Sequence, residues 1–591
     1  MNFLNPIYTE KTECQDCYKC VRHCPVKAIK VESGCATVIS ELCIYCGHCV
    51  EVCPNGAKKV RDDLARARQL LGLRERVYVS LAPSFIADFP GVAPAQLIAA
   101  LRRLGFAGVS ETALGAQEVS AAVAAQLATG PAGLMISSAC PSVVAYLQKH
   151  RPALTANLTA MHSPLLAHCR LLRRLYGSDI GIVFVGPCIG KKLDADEHPE
   201  LLDVALTYEE LRRWLAAEKI VPAALEPTPQ DTFVPERSAE GAWYAVDGGM
   251  IAGVKSNCAV NDCSMMSFSG MPAIEKALAE LPASPQRGLF LELLACEGGC
   301  VNGPKSASRG GTIAKRCRVL EYGQAAPPSM AFAPGANDSP LIVPAEFRAL
   351  AAVRPQYSES QVREALRAVG KYSAEDELNC GGCGYDSCLA FGRALLAQKA
   401  ERSMCVTYMR KLAHKKANVL VQRMRSAVVI VGESLRIIEC NAAFVRLFVP
   451  DNRPDEEKMR AMEGLPLSSV LPFANLFQGV MSSGDDLPDR YLRHQKTIIQ
   501  ASIFTIEKHA VVGAILQDVT RPSVQKEEVI RKAREVIQKN LATVQQIAYL
   551  LGENAAESEI TLNQIIDSFS PPQVDDPGDK RHDDWRKLYR R

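Results

Sequence analysis

The sequence predicts a multidomain chain that combines α/β and α+β architecture, and three observations carry that reading. Eight of its 22 cysteines fall in two copies of one motif near the start of the chain. From about residue 77, apolar strand-like runs alternate with helical patterns, and cysteines recur where the runs end. Beyond a further cysteine group, Cys380 to Cys405, the texture changes to that of a separate small α+β domain. At 591 residues the chain is too long for one core, and ordinary domain size predicts roughly three to five domains.

Composition narrows the function classes. The 68 Lys+Arg against 65 Asp+Glu leave a formal charge of +3 with no long basic block, so neither nucleic acid nor an anionic membrane is expected as a partner. Cysteines clustered at short spacing point to metal binding, not to a disulfide framework. The opening MNFLNPIYTEKTECQ has no basic region followed by an apolar run and no twin arginine, so the expected location is cytoplasmic. Residues 119–148 lack charge, but Gly130-Pro131, Gly133 and Cys140-Pro141 interrupt them, predicting helix, strand and loop in place of a membrane span.

Residues 1–64 hold the repeat. Cys14, Cys17, Cys20 and Cys24-Pro25 are echoed by Cys43, Cys46, Cys49 and Cys53-Pro54, both reading C-x2-C-x2-C-x3-C-P. A 4Fe-4S cubane needs four thiolates; C-x2-C-x2-C wraps three irons and a distant Cys-Pro supplies the fourth. Zinc sites use paired C-x2-C hooks instead. The region resembles bacterial two-cluster ferredoxins. That resemblance implies one 4Fe-4S cluster on Cys14, Cys17, Cys20 and Cys53, a second on Cys43, Cys46, Cys49 and Cys24, and one-electron transfer as their job.

Residues 65–355 read as α/β. Pro94 can start a helix whose apolar face runs through Leu97, Ile98, Leu101 and Leu104 before Gly105 stops it, and Pro164 and Gly177 bracket another. In open α/β sheets, ligands gather beyond the carboxyl ends of strands. Cys140 follows GLMISSA, Cys188 follows IGIVFVGP, and Cys296 and Cys300 follow LFLELLA, so four thiolates can converge on one metal centre. A lone buried cysteine is usually a small core residue, but the neighbouring glycines and prolines argue otherwise at these positions. In GPCIGKK, Lys191 and Lys192 suit either donation to an anionic metal ligand or a solvated helix start.

The segments SSACPS, GPCIGKK and LACEGGCVNGP resemble, in order and spacing, the three signature segments of the FeFe hydrogenase catalytic domain. With the ferredoxin-like region, the resemblance covers about the first 330 residues. It implies an H-cluster whose 4Fe-4S cubane is held by Cys140, Cys188, Cys296 and Cys300, with Cys300 bridging to a di-iron subsite that carries carbonyl and cyanide. It further implies that Lys191 hydrogen-bonds a cyanide and that Ala82-Pro83-Ser84 lines the di-iron pocket. The reaction implied is reversible interconversion of H2 with protons and electrons, in company with a ferredoxin-like redox partner and hydrogenase maturation proteins.

Departures from the family pattern shape the expected role. Ala139 stands where prototypical hydrogenases have a second cysteine that relays protons, and a methyl group cannot pass a proton. Leu294 and Gly186 replace two methionines, NGP replaces a glycine-rich end, and only Glu118 occupies the region of an acidic relay. These changes point to slow, sensor-like hydrogen chemistry. The alternatives are a catalytic or electron-bifurcating, ferredoxin-linked hydrogenase, and a hydrogenase-like iron-sulfur assembly or electron-transfer protein without the di-iron subsite.

In residues 356–412, Cys380, Cys383, Cys388 and Cys405 fit C-x2-C-x4-C-x16-C and resemble a small 4Fe-4S domain of electron-transfer and corrinoid-associated proteins; zinc also suits four such thiols. Glycines 381, 382 and 384 permit the tight wrap, and a helix over 390–399 would return Cys405 to the cluster. Residues 413–523 combine a linker helix with VVIVGESLRIIECNAAFVRLF and VVGAILQDVT, which resemble a PAS domain. Cys440 and His509 within it are isolated and expected to be structural, as Cys35, Cys169, Cys258, Cys263 and Cys317 are elsewhere. Residues 524–591 read as C-terminal helices followed by a disordered Pro/Asp-rich tail. A signal would then leave through the PAS domain or these helices to a signalling partner or a second copy of the chain.

Overall fold

The computed structural model describes residues 5–128, 133–257, 263–281, 288–307, 310–325, 341–352, 355–520 and 528–539. The chain divides into two compact units, Met1–Tyr408 and Met409–Arg591.

The cysteine repeat opens the first unit. Strand Ile7–Thr9 pairs antiparallel with Lys58–Val60, which closes the ends of the repeat on each other, and Ile29–Glu32 pairs with Cys35–Val38. Two short helices, Lys19–His23 and His48–Glu51, carry Cys20 and Cys49, and each is entered from a left-handed residue, Tyr18 at φ 55° and Gly47 at φ 80°. Gly47 is needed twice over. A Cβ there would lie 2.4 Å from Pro304 and 2.8 Å from Ile189, so only glycine lets this loop press against the central domain.

Two parallel sheets build that domain. One runs in the order Gly108–Glu111, Val77–Leu81, Gly181–Gly186, Val204–Thr207, and the other in the order Cys263–Ser269, Gly288–Leu294, Leu134–Ile136. Every residue of the four strands in the first sheet is buried, as a sheet covered by helices on both faces requires. Helix Pro94–Arg103 packs Leu97, Ile98 and Leu101 into the core, and helix Pro164–Tyr176 ends at Gly177, φ 103°. The uncharged stretch resolves into helix Ala113–Ala128, strand Leu134–Ile136 and helix Pro141–His150. Among the described residues no helix is long and apolar enough to cross a membrane.

Helices Glu359–Arg367 and Cys388–Leu396 complete the unit, the second stopping earlier than its sequence pattern suggests, with Gln398 in a left-handed conformation at φ 54°. Their core is shared with the first cysteine loop: Cys20, Val21, Ile29 and Val31 pack with Val362, Leu366, Phe391 and Cys405.

In the second unit a five-stranded antiparallel sheet runs Ile437–Cys440, Ala427–Gly432, Val511–Asp518, Thr497–Glu507, Leu487–His494. Ile499, Ala501 and Ile503 alternate into a core filled by helices Ala442–Phe448 and Ala474–Ser483. Buried Asn441 ties its start together: Oδ1 accepts the N–H groups of Val428 and Phe444 at 2.9 Å, and its amide donates to the carbonyls of Val421 and Ser426. Cys440 is a core residue, and His509 Nδ1 sits 3.0 Å from the Met481 carbonyl. Residues 528–539 are helical. The rest of the expected C-terminal helices, the tail and Cys258 lie outside the described residues.

Candidate metal centre

The strand ends converge. Ala82-Pro83-Ser84 leaves Val77–Leu81, Thr112 leaves Gly108–Glu111, Cys188 leaves Gly181–Gly186, Cys140 leaves Leu134–Ile136, and Cys296 leaves Gly288–Leu294. All of them line one cavity of about 110 Å³ between the two sheets, together with Cys300, Lys191 and Ala139. Gly298 (φ 76°) and Gly299 (φ 100°) turn the chain between Cys296 and Cys300, and a Cβ on Gly299 would lie 2.7 Å from Ala245 O and Val246 Cα. Leu294 also faces the cavity, and the Phe184 ring occupies the space where a side chain at Gly186 would project, 2.4 Å from its Cβ position. The wall at these positions is therefore apolar.

Four thiols in such a place affect one another. Burial pushes Cys188 up to about 11, with the Cys140 charge adding to the rise and Lys191 opposing it. Burial likewise raises Cys300, reinforced by Cys140 and Cys188, and raises Cys296, reinforced by Cys300, Cys188 and Cys140. Thiols held neutral by burial are released as thiolates when a cationic iron centre replaces their protons. Among the described residues no three His, Cys, Asp or Glu side chains gather tightly enough for a single metal ion. The donor set and the roomy apolar cavity suit a cluster with four anionic sulfur ligands.

The adjacent lysines separate. Lys191 faces the cavity and donates to Asp194 Oδ2 at 2.8 Å, while Lys192, 1% exposed, turns inward to Asp63, Glu210 and the Ala205 carbonyl at 2.9–3.0 Å. Neither is a solvated helix start. Ser84 Oγ lies 2.9 Å from Tyr208 Oη, which itself donates to Ala82 O at 3.1 Å, so the Ala82-Pro83-Ser84 turn is held from behind.

The N-terminal cysteines lie within electrostatic reach of one another in two groups. Burial raises Cys20 to about 11, with Cys14, Cys17 and Cys53 adding their charges; burial raises Cys49, with Cys46, Cys43 and Cys24 adding theirs. Cys35, expected to be structural, lies within electrostatic reach of Cys14. Cys46 lines the central cavity and is felt by Cys296, and Lys149 Nζ, on the helix that Cys140 begins, donates to the Cys43 carbonyl at 2.7 Å. Cys383 is raised by burial, then by the charges of Cys405 and Cys380. Tyr385, beside it, feels both Cys383 and Cys24, which puts the third group against the N-terminal loops and away from the cavity.

Sequence reasoning missed Glu292, a buried carboxylate on strand Gly288–Leu294. Burial pushes it up to about 7, opposed by the N–H groups of Ile251 and Met250 at 3.1 and 3.4 Å. A charge inside the apolar run LFLELL was the available signal. Glu118 is buried within helix Ala113–Ala128 and does not line the cavity. Thr112 was also missed, because nothing local marks a threonine as cavity-facing.

Residues 75–304 match the family described as iron only hydrogenase large subunit, C-terminal domain; residues 36–59 match a 4Fe-4S binding domain and residues 376–407 an Fe-S cluster family. Iron hydrogenase 1 of Clostridium pasteurianum is 27% identical over 308 residues, covering 42% of this chain and 53% of that protein. The NADP-reducing hydrogenase subunit HndD of Solidesulfovibrio fructosivorans is 24% identical over 344 residues, 47% of this chain and 59% of that one. The chain thus spans a little over half the length of these two curated relatives. A solved variant of the FeFe-hydrogenase HydA1 from Chlamydomonas reinhardtii aligns over 49% of this chain and 100% of its own, at 19% identity and a TM-score of 0.38. The polypeptide therefore carries an FeFe-hydrogenase large-subunit domain joined to a 4Fe-4S binding domain and an Fe-S cluster domain.

Proposed function

We propose that this is a sensory FeFe hydrogenase acting slowly on H2 and protons. The observation that carries the reading is one largely apolar cavity onto which Cys140, Cys188, Cys296 and Cys300 converge while Ala139 stands on its wall. The four cysteines would hold an H-cluster, with Lys191 and the Pro83-Ser84 turn lining its site. When bound, that group supplies the redox chemistry of dihydrogen; the protein supplies ligands, a largely apolar pocket and access for protons. Access is what is restricted. Among the described residues no carboxylate lines the cavity, and Ala139, Leu294 and Phe184 present only carbon to it.

The N-terminal cysteines would hold two 4Fe-4S clusters that supply one-electron transfer, and of these ligands Cys46 lines the cavity. The third group, at Cys380 to Cys405, packs on these N-terminal loops, so it would communicate with the catalytic centre through them. The strand order of the second unit, in which the first strand lies between the second and the fifth, supports a PAS domain as the output. Its partner would be a signalling protein or a second copy, and the expected compartment is the cytoplasm.

The test is turnover by the full chain after treatment with hydrogenase maturation proteins. Slow H2 evolution with a reduced dye is expected, and Ala139→Cys should raise it about a hundredfold, the low end of what a positioned proton donor contributes. Parent turnover at prototypical rates, with no gain in the variant, would overturn the sensory assignment.

A further inference from the structure

Behind the cavity wall runs a chain of hydroxyl and imidazole groups that the cysteine chemistry leaves unused. The parallel register sets Ser80 opposite Ser110 on neighbouring strands, and His168, from helix Pro164–Tyr176, enters between them. Ser110 Oγ lies 2.8 Å from His168 Nε2, Nδ1 lies 2.8 Å from Ser80 Oγ, and Ser80 Oγ lies 2.7 Å from Thr112 Oγ1. Ser80, Ser110 and His168 are wholly buried, whereas Thr112 lines the cavity. Burial keeps the imidazole neutral, its pKa pushed down to about 3.

A neutral imidazole has one N–H and one lone pair, so it gives the chain a direction. If Nε2 carried the proton, Thr112 would donate to Ser80, Ser80 to Nδ1 and Nε2 to Ser110. The Ser110 proton would then be stranded, because that hydroxyl has no further acceptor among the described residues. If Nδ1 carries it, Ser110 donates to Nε2, Nδ1 to Ser80 and Ser80 to Thr112. The last proton then belongs to Thr112, at the one place where something other than protein can receive it. A donor stranded in the core is the costlier arrangement, which selects the second direction.

We propose that Thr112 is a hydrogen-bond donor to the group bound in the cavity, oriented by the positioning residues Ser80, His168 and Ser110. This rests on the hydrogenase reading, under which the acceptor is a metal-bound diatomic ligand, cyanide or carbonyl. Thr112 thus adds a neutral donor to the charged one at Lys191, on a different strand end of the same cavity.

Two measurements test it. In the full chain without clusters, nitrogen NMR of histidine-labelled protein, assigned with His168→Gln, should show His168 protonated at Nδ1; protonation at Nε2 would overturn the proposal whatever the cavity binds. In matured protein, Thr112→Val should shift at least one cyanide or carbonyl stretching band by several wavenumbers, and Thr112→Ser should return it toward the parent position. A Thr112→Val spectrum superimposable on the parent sinks the proposal and leaves the hydrogenase reading standing. A parent spectrum without such bands sinks both.

Discussion

Lys191 Nζ donates a 2.8 Å hydrogen bond to Asp194 Oδ2, and Ser163 Oγ donates to the same oxygen at 3.0 Å. Burial works against the Lys191 charge, yet Asp194 and the Cys188 thiol hold its pKa above the ordinary lysine value. The lysine that faces the cavity is therefore a permanent cation. Removing its partner leaves that charge uncompensated in a buried site. Asp194→Asn should destabilise the first unit by about 3 kcal/mol in urea unfolding, and the double variant Lys191→Met/Asp194→Asn should recover part of the loss.

Lys192 makes a second, deeper network. With its ammonium gone, Asp63 and Glu210 face each other without a cation from this side chain, so Lys192→Met should cost about 3–5 kcal/mol. Arg68→Ala, at a pair roughly half-exposed on both sides, should cost less than about 1 kcal/mol by the same denaturation measurement.

His168 and Glu292 predict opposite pH dependences. The folded chain refuses a proton at His168 until about pH 3, whereas the unfolded chain accepts one below the ordinary value of 6.5. Its contribution is fully present above that ordinary value and is lost as pH falls toward 3, and His168→Gln should flatten the slope by up to about one proton per molecule. At Glu292 the folded pKa is raised from 4.5 to about 7, so the folded chain keeps a proton that the unfolded one gives up. Stability falls as pH rises through that window, and Glu292→Gln should remove the fall. Unfolding free energies measured across pH 4 to 8, unchanged in slope by either substitution, would contradict these assignments.

Cys383→Ser should lower iron content by about four atoms per molecule and leave infrared bands from the central cavity in place. Tyr385 connects Cys383 to the N-terminal loops and not to Cys300, so cluster loss there should slow electron exchange without emptying the cavity. Iron analysis and infrared spectra of the same sample decide it.

The convergence of Cys140, Cys188, Cys296 and Cys300 on one cavity was legible in the sequence because strand-end placement follows from apolar runs ending at Cys140, Cys188 and Cys296. The helix bounds at Pro94, Pro164 and Gly177 were legible because such signals are local. What escaped depends on register. Ser80, Ser110 and His168 are ordinary residues until a parallel sheet pairs two of them and a helix threads the third between them. Lys191 and Lys192 look equivalent in GPCIGKK, and only the turn into helix Lys191–Glu197 sends one to the cavity and the other to Asp63 and Glu210. Gly186 reads as a missing side chain, yet the Phe184 ring fills its space.

Whether Cys140, Cys188, Cys296 and Cys300 carry a cubane alone or a cubane joined to a di-iron subsite decides between a hydrogenase and an electron-transfer protein. Infrared spectroscopy of the matured full chain measures this directly, since metal-bound carbonyl and cyanide absorb where protein does not. Carbonyl and cyanide bands that disappear in Cys300→Ala are expected. Full iron occupancy of the clusters with no such bands would contradict the hydrogenase reading.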